Sequence, residues 1–247
     1  MPVIDMARLG ALATSAVVIG LAVPATGQAP SMTVTSTAEM TPKLAGTEMR
    51  PRSTRIDADV EWSVPEGSEP RLPSKLAIRL PRGVRLNSRT YPTCAKRTLN
   101  RKGPSGCPWR SILGSGAGHL SEGFLGRHPK ITLVNGGAHR LWAYNVYRYP
   151  ALVKEAKPVT VKRLHSRKWA YELTFDLLVG PLVIGLLPLP LSRFEVSIGG
   201  TPRAPDFLQT VDGCRKRGFM PFLAELTHVD QQLTEATTES RARIACR

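Results

Sequence analysis

The chain has 247 residues, four cysteines and a formal net charge of +15 at pH 7. That length is long for one domain but within the range of an all-β fold, and it is enough to bury a sizeable core. The charge speaks of solubility and of association with anionic partners rather than of a site. The cysteines lack Cys-x-x-Cys spacing and have no histidine within a few residues, which sets aside a zinc site.

At the start of the chain Arg8 precedes an uncharged apolar run from Leu9 to Val23, followed by Pro24, Ala25, Thr26 and Gly27. The run is too short for a spanning helix of about 20 residues, and small residues follow at the spacing a signal peptidase reads. Residues 1–27 are therefore expected to be a signal peptide, cleaved after Gly27, with no cysteine placed for lipid anchoring. Residues 28–50, with Pro30, Thr33, Thr35, Ser36, Thr37 and Pro42, read as an extended linker that could add one edge strand. Residues 51–247 are expected to form a single disulfide-bonded β domain.

Alternation of period two begins at Arg55: Ile56, Ala58, Val60, Trp62 and Val64 share one face, and Asp57, Asp59, Glu61 and Ser63 the other. It recurs at Leu76, Ile78 and Leu80, and from Trp169 to Val179. Further strands are expected at 111–120, 131–135, 140–149, 158–165, 193–199, 221–229 and 241–246, separated by Gly and Pro punctuators. No window of about 12 residues keeps helical spacing. About ten strands with frequent turns predict an antiparallel β-sandwich, or a barrel-like closure of the same strands. The apolar run from Leu177 to Leu191 is broken by Gly180, Pro181, Gly185, Pro188 and Pro190, which rule out a stable membrane span.

Export places Cys94, Cys107, Cys214 and Cys246 where disulfides persist. Of the three possible connectivities, Cys94–Cys107 with Cys214–Cys246 closes the shortest loops. The layout Tyr91-Pro92-Thr93-Cys94, Gly106-Cys107-Pro108, Ser111-Ile112-Leu113-Gly114-Ser115-Gly116 and Cys214 ahead of a strand ending near Cys246 resembles that of secreted actinobacterial β-sandwich proteins of unknown function. The resemblance spans most of residues 75–247. It implies export and a β-sandwich, and it carries over no catalytic residue.

Several groups of residues invite a chemical reading. Asp57, Asp59 and Glu61 resemble the active strand of a jelly-roll glycosidase family, with Asp57 where that family has Glu. On a regular strand, however, Asp57 and Glu61 stand about 13 Å apart at ~3.3 Å per residue, too far for either retaining or inverting hydrolysis. The five histidines are scattered and none lies four residues from another, which removes the metalloprotease signature. Ser115 between Gly114 and Gly116 lacks the lysine and hydroxyl of a phosphate loop, so a strand closely approached by another segment is expected. Trp142, Tyr144, Tyr147 and Tyr149 beside Arg140 and Arg148 suit either a stacking platform or a strand covered on both faces.

Between Arg71 and Lys154 there are sixteen Lys or Arg and one acid, Glu122. Within it the first disulfide loop carries Lys96, Arg97, Arg101 and Lys102 and no acid, the expected contact for a polyanion. No catalytic residue, metal ligand or cofactor is assigned. The expected protein is a secreted or cell-envelope binding or structural module that contacts an anionic cell-wall polymer or an acidic lipid surface. Nucleic acid is not its expected partner in vivo. The alternative is a small secreted glycan hydrolase using the acidic strand.

Overall fold

The computed structural model describes residues 32–68, 71–120, 128–148, 152–177, 183–184, 187–188, 191–212, 214, 218–230 and 232–246. The expected signal peptide lies outside them. The strands in chain order are β1 (Thr33–Thr41), β2 (Arg52–Ser53), β3 (Arg55–Ser63), β4 (Leu72–Pro81), β5 (Val84–Leu86), β6 (Ile112–Leu120), β7 (Lys130–Asn135) and β8 (Arg140–Tyr147). They continue with β9 (Val153–Arg163), β10 (Trp169–Asp176), β11 (Val183–Ile184), β12 (Leu187–Pro188), β13 (Leu191–Gly199), β14 (Leu208–Thr210), β15 (Phe219–Val229) and β16 (Glu235–Ala245). One α-helix, α1 (Lys96–Lys102), lies between β5 and β6.

Eleven strands form one antiparallel sheet in the order β1-β3-β13-β6-β7-β8-β9-β10-β4-β15-β16. The sheet curls until its two outermost strands lie side by side, where Ser36 Oγ donates to Ser240 Oγ at 2.9 Å. The all-β architecture is thus a nearly closed barrel. The segment read as an extended linker supplies the edge strand allowed for it. β1 pairs with β3 over its whole length, from Thr33 opposite Ser63 to Thr41 opposite Arg55, and buries Val34, Ala38 and Met40. The threonines and serines that make this segment read as a linker are its outward or seam-facing alternate positions.

The inward residues of the alternating strands fill the barrel. Ile56, Val60, Leu76, Ile78, Leu80, Leu173, Phe175, Phe194, Ile198, Phe222 and Leu226 are all buried. Each large apolar side chain removed from water stabilises the fold by about 1.5–3 kcal/mol. Trp62 keeps its polar edge satisfied by donating Nε1–H to the Leu191 carbonyl at 2.6 Å.

The antiparallel order places the connections 42–54, 82–111, 136–139, 164–168 and 200–218 at one end of the barrel. Three of these are long, and they build a lid. A small sheet in the order β2-β14-β5 closes that end over buried Val84, Ala204, Phe207 and Leu208. Both disulfides, Cys94–Cys107 and Cys214–Cys246, tie the same end together.

Candidate anion-binding site

Helix α1 is built inside the loop closed by Cys94–Cys107, a sequence separation of 13. Seven residues are too few to hold a helix by themselves. Leu99 supplies the anchor: it is fully buried in a second apolar cluster with Cys94, Ile112, Val134, Trp142, Tyr144 and Ala156 on the outside of the barrel. Asn100 Oδ1 accepts from the Ala156 backbone N–H at 2.8 Å, and Trp142 Nε1–H donates to the Cys94 carbonyl at 3.0 Å. Gly103, at φ 68°, ends the helix with its N–H on the Leu99 carbonyl.

With Leu99 turned inward, Lys96, Arg97, Arg101 and Lys102 are all exposed. None of the four pairs with a carboxylate among the described residues. Arg101 and Lys102 sit in the last turn, where cations suit the helix dipole; Lys96 and Arg97 occupy the first turn, where cations oppose it and no acid compensates. Helix stability therefore does not account for the charge at the N-terminal end.

The basic character extends beyond α1. Among the described residues, the connections at this end hold fourteen Lys or Arg, eight of them in 82–111, against Glu48, Asp206 and Asp212. Among the described residues, the opposite end has Arg71 and Arg148 against Glu66 and Asp230. Trp109 projects from the basic end with 63% of its surface exposed, and the Arg203 guanidinium lies 3.7 Å from its ring centre. Arg110 stands over Tyr91 at 5.2 Å. Stacked on rings, these guanidiniums keep their charge and leave their edges open.

A second group at this end has no signal in local sequence. Arg85 from β5, Arg89 from the turn after it, Arg163 at the end of β9 and His139 in the β7–β8 turn line one cleft of about 370 Å³ with half-buried Tyr171. They come from four segments, so only the register of the barrel brings them together.

The acidic strand lies on the outer wall of the barrel. Arg193 donates through Nε and Nη2 to the two carboxylate oxygens of Asp59 at 2.8 and 2.5 Å, and Nη2 is 2.7 Å from Glu195 Oε1. Asp57 accepts from Arg55 Nε at 2.8 Å and from the Ser197 hydroxyl. The hydrogen bond to Asp59 holds the Arg193 guanidinium pKa above its ordinary value. These acids face strand-borne cations across β3 and β13 in the manner of cross-strand pairs. Glu61 stands opposite Arg193 on the same open face.

The aromatic residues of β8 divide between its two faces. Leu141, Ala143, Asn145 and Tyr147 point into the barrel, and Trp142 and Tyr144 lie under the disulfide loop. Tyr149 lies outside the described residues. Burial pushes the Tyr147 hydroxyl well above the usual tyrosine range. β8 is thus a strand covered on both faces. Gly114 and Gly116 of β6 meet β13 closely: a Cβ at either would collide with the Ser197 or Glu195 carbonyl. The His119 and His128 rings meet at a tilt of 46° with centres 4.3 Å apart, and His119 Nε2 is 3.1 Å from Glu195 Oε1. Among the described residues no three His, Cys, Asp or Glu side chains gather as a metal site, and no helix is long and apolar enough to cross a membrane.

Comparison with known protein families and with curated proteins found no match for this chain.

Proposed function

We propose that this protein is exported and acts outside the cytoplasm as a non-enzymatic binding module whose basic end meets an anionic polymer of the cell envelope. One observation carries the reading: Lys96, Arg97, Arg101 and Lys102 are exposed on a disulfide-fixed helix, without carboxylate partners among the described residues, at the end of the barrel where those residues count fourteen cations against three acids. Clustered cations raise the local concentration of a polyanion and speed its capture. Each phosphate neutralised releases counterions, which drives binding and makes it salt-dependent. A helix already held by Cys94–Cys107 and Leu99 loses little entropy on binding. Export is supported by the leader composition of residues 1–27 and by two disulfides, which persist in oxidising compartments.

The test is association of the purified protein with anionic wall polymer, acidic phospholipid vesicles and DNA at about 50 and 200 mM salt, a range over which several phosphate contacts cost orders of magnitude. Binding to wall polymer that weakens steeply with salt, and is lost when Lys96, Arg97, Arg101 and Lys102 become Gln, is the expected result. Absence of binding at the lower salt, or binding unchanged in that variant, refutes the reading. An intact mass that retains residues 1–27 in exported material refutes the cleavage.

A further inference from the structure

We propose that the cleft between the β5 turn, the β7–β8 turn and the end of β9 binds a terminal phosphoryl group carrying at least two negative charges. The inference rests on the reading of the basic end as anion-binding and names the group recognised there, at a place distinct from α1.

Arg85, Arg89 and Arg163 put three permanent charges on one space of about 370 Å³, and none of the residues lining it is an acid. None of the three arginines pairs with a carboxylate among the described residues. A guanidinium presents a planar fork of donors that matches phosphate oxygens two at a time, so three forks suit a group with several oxygens and more than one charge. His139 adds ring N–H capacity at the rim. Tyr171, half-buried at the start of β10, offers an apolar face to whatever carries the phosphoryl group. The volume falls in the range of small-ligand sites.

The walls are fixed before any ligand arrives. Asn87 Nδ2 donates to the Asp206 carbonyl at 2.7 Å and to Gln209 Oε1 at 2.9 Å, and the Asn87 backbone N–H donates to the Phe207 carbonyl at 2.8 Å. Thr90 Oγ1 donates to the Asn87 carbonyl at 2.8 Å, closing the turn that carries Arg89. Across the cleft, the His139 carbonyl accepts the Val161 N–H at 3.0 Å, which ties the β7–β8 turn to the strand bearing Arg163. Like charges gathered on one space repel one another, and a multivalent anion relieves that repulsion as it binds.

Isothermal titration of the purified full chain with sodium pyrophosphate at about 50 mM salt tests the inference. Saturable one-to-one binding is expected, with Arg89→Gln and Arg163→Gln each weakening it about tenfold through the loss of a charge-assisted contact. Both residues are exposed, and an unchanged thermal midpoint checks that the variants remain folded. Glycerol 3-phosphate, a terminal phosphoryl group, is expected to compete. A glycerophosphodiester with a single charge is expected to compete at least about tenfold less well. The α1 variant with four Gln should bind pyrophosphate as the wild type does. Absence of saturable binding, equal binding by the two Arg→Gln variants, or a diester as effective as the monoester overturns the cleft. If that happens while wall polymer still binds through α1, the cleft alone fails. If pyrophosphate binds and wall polymer does not, the cleft stands and the polymer reading fails.

Discussion

Replacing Asn135 tests the architecture of the basic end at its most connected buried polar residue. Asn135 is fully buried at the end of β7. Its Nδ2 donates to the carbonyls of Ser88, Tyr91 and Pro92 at 2.8, 2.9 and 3.2 Å, its Oδ1 accepts from the Gly137 N–H at 3.1 Å, and its backbone carbonyl accepts the Cys94 N–H at 2.9 Å. Asn135→Ala removes the four side-chain bonds and strands the buried Tyr91 carbonyl. An unsatisfied buried acceptor costs about 1–3 kcal/mol and each part-exposed bond about 0.5–1.5, so a loss of about 3 kcal/mol is expected once water re-solvates the outer carbonyls. Asn135→Asp preserves volume and the Gly137 bond but turns an acceptor oxygen toward three carbonyls, and it should cost more than the Ala change. Urea unfolding reads both as a lower midpoint at unchanged slope. By heat the Ala variant should melt roughly 6–12 °C lower. A loss below about 0.5 kcal/mol for Ala, or an Asp variant milder than Ala, refutes the reasoning, because the amide would then be filling space rather than satisfying carbonyls.

Removing the first disulfide with Cys94→Ser and Cys107→Ser should cost about 3 kcal/mol in the chain-entropy model, measured as a drop in the denaturation midpoint that leaves the β-sheet circular dichroism intact. Arg79 bridges Glu172 at 2.7 Å and Glu225 at 3.2 Å across β10, β4 and β15, so Arg79→Met leaves two carboxylates facing each other without their cation. About 1–2 kcal/mol of stability should be lost, and Glu172→Gln added to it should recover part of that. Burial, and then the Arg71 guanidinium 3.0 Å from its Nε2, hold the His228 pKa below its ordinary value. The unfolded chain therefore takes up the proton first, at about pH 6.5, and stability is complete above that pH and falls as pH drops below it. His228→Gln should flatten the fall in unfolding free energy between about pH 6.5 and 5, and a slope that survives the substitution refutes the assignment.

The barrel was legible wherever burial follows a period of two. The apolar positions of β3, β4 and β10 read directly as Ile56 to Trp62, Leu76 to Leu80 and Leu173 to Phe175, and these are the inward residues observed. The outermost strands were harder, because the seam between β1 and β16 is filled by small or polar residues such as Ser36, Thr238, Ser240 and Ala242, which carry no hydrophobic signature. Half of β16, from Glu235 to Ser240, is invisible for that reason. α1 was missed on different grounds: seven residues with a single buried position give no helical period, and the helix is held by a disulfide, Leu99 and Asn100 rather than by its own pattern. Lys96, Arg97, Arg101 and Lys102 were legible as a basic disulfide loop without an acid, and all four are exposed. The cleft of Arg85, Arg89 and Arg163 could not be read, since its members meet only through strand register.

The interior of the barrel is occupied by its own side chains, and a space beside Asn145 and Tyr147 measures about 20 Å³, room for a single water. On the wall of the barrel the charges are paired in rows: Arg55 with Asp57, Arg193 with Asp59 and Glu195, Arg79 with Glu172 and Glu225, Lys75 with Glu235. Lys96, Arg97, Arg101 and Lys102, by contrast, sit on a connection between strands and pair with no carboxylate among the described residues. Two exposed charges about 10 Å apart repel by only about 0.4 kcal/mol in water, less after screening, but among the described residues fourteen cations against three acids accumulate that repulsion at the basic end of the barrel. Both disulfides, the Asn135 bonds and the Asn87 bonds fall there too. Covalent ties and buried amides hold a segment that its own charge would push apart, and they hold it with the guanidiniums facing outward. That coincidence of rigid support and uncompensated charge, rather than the net charge, is what supports the proposal that an anionic partner is met at this end.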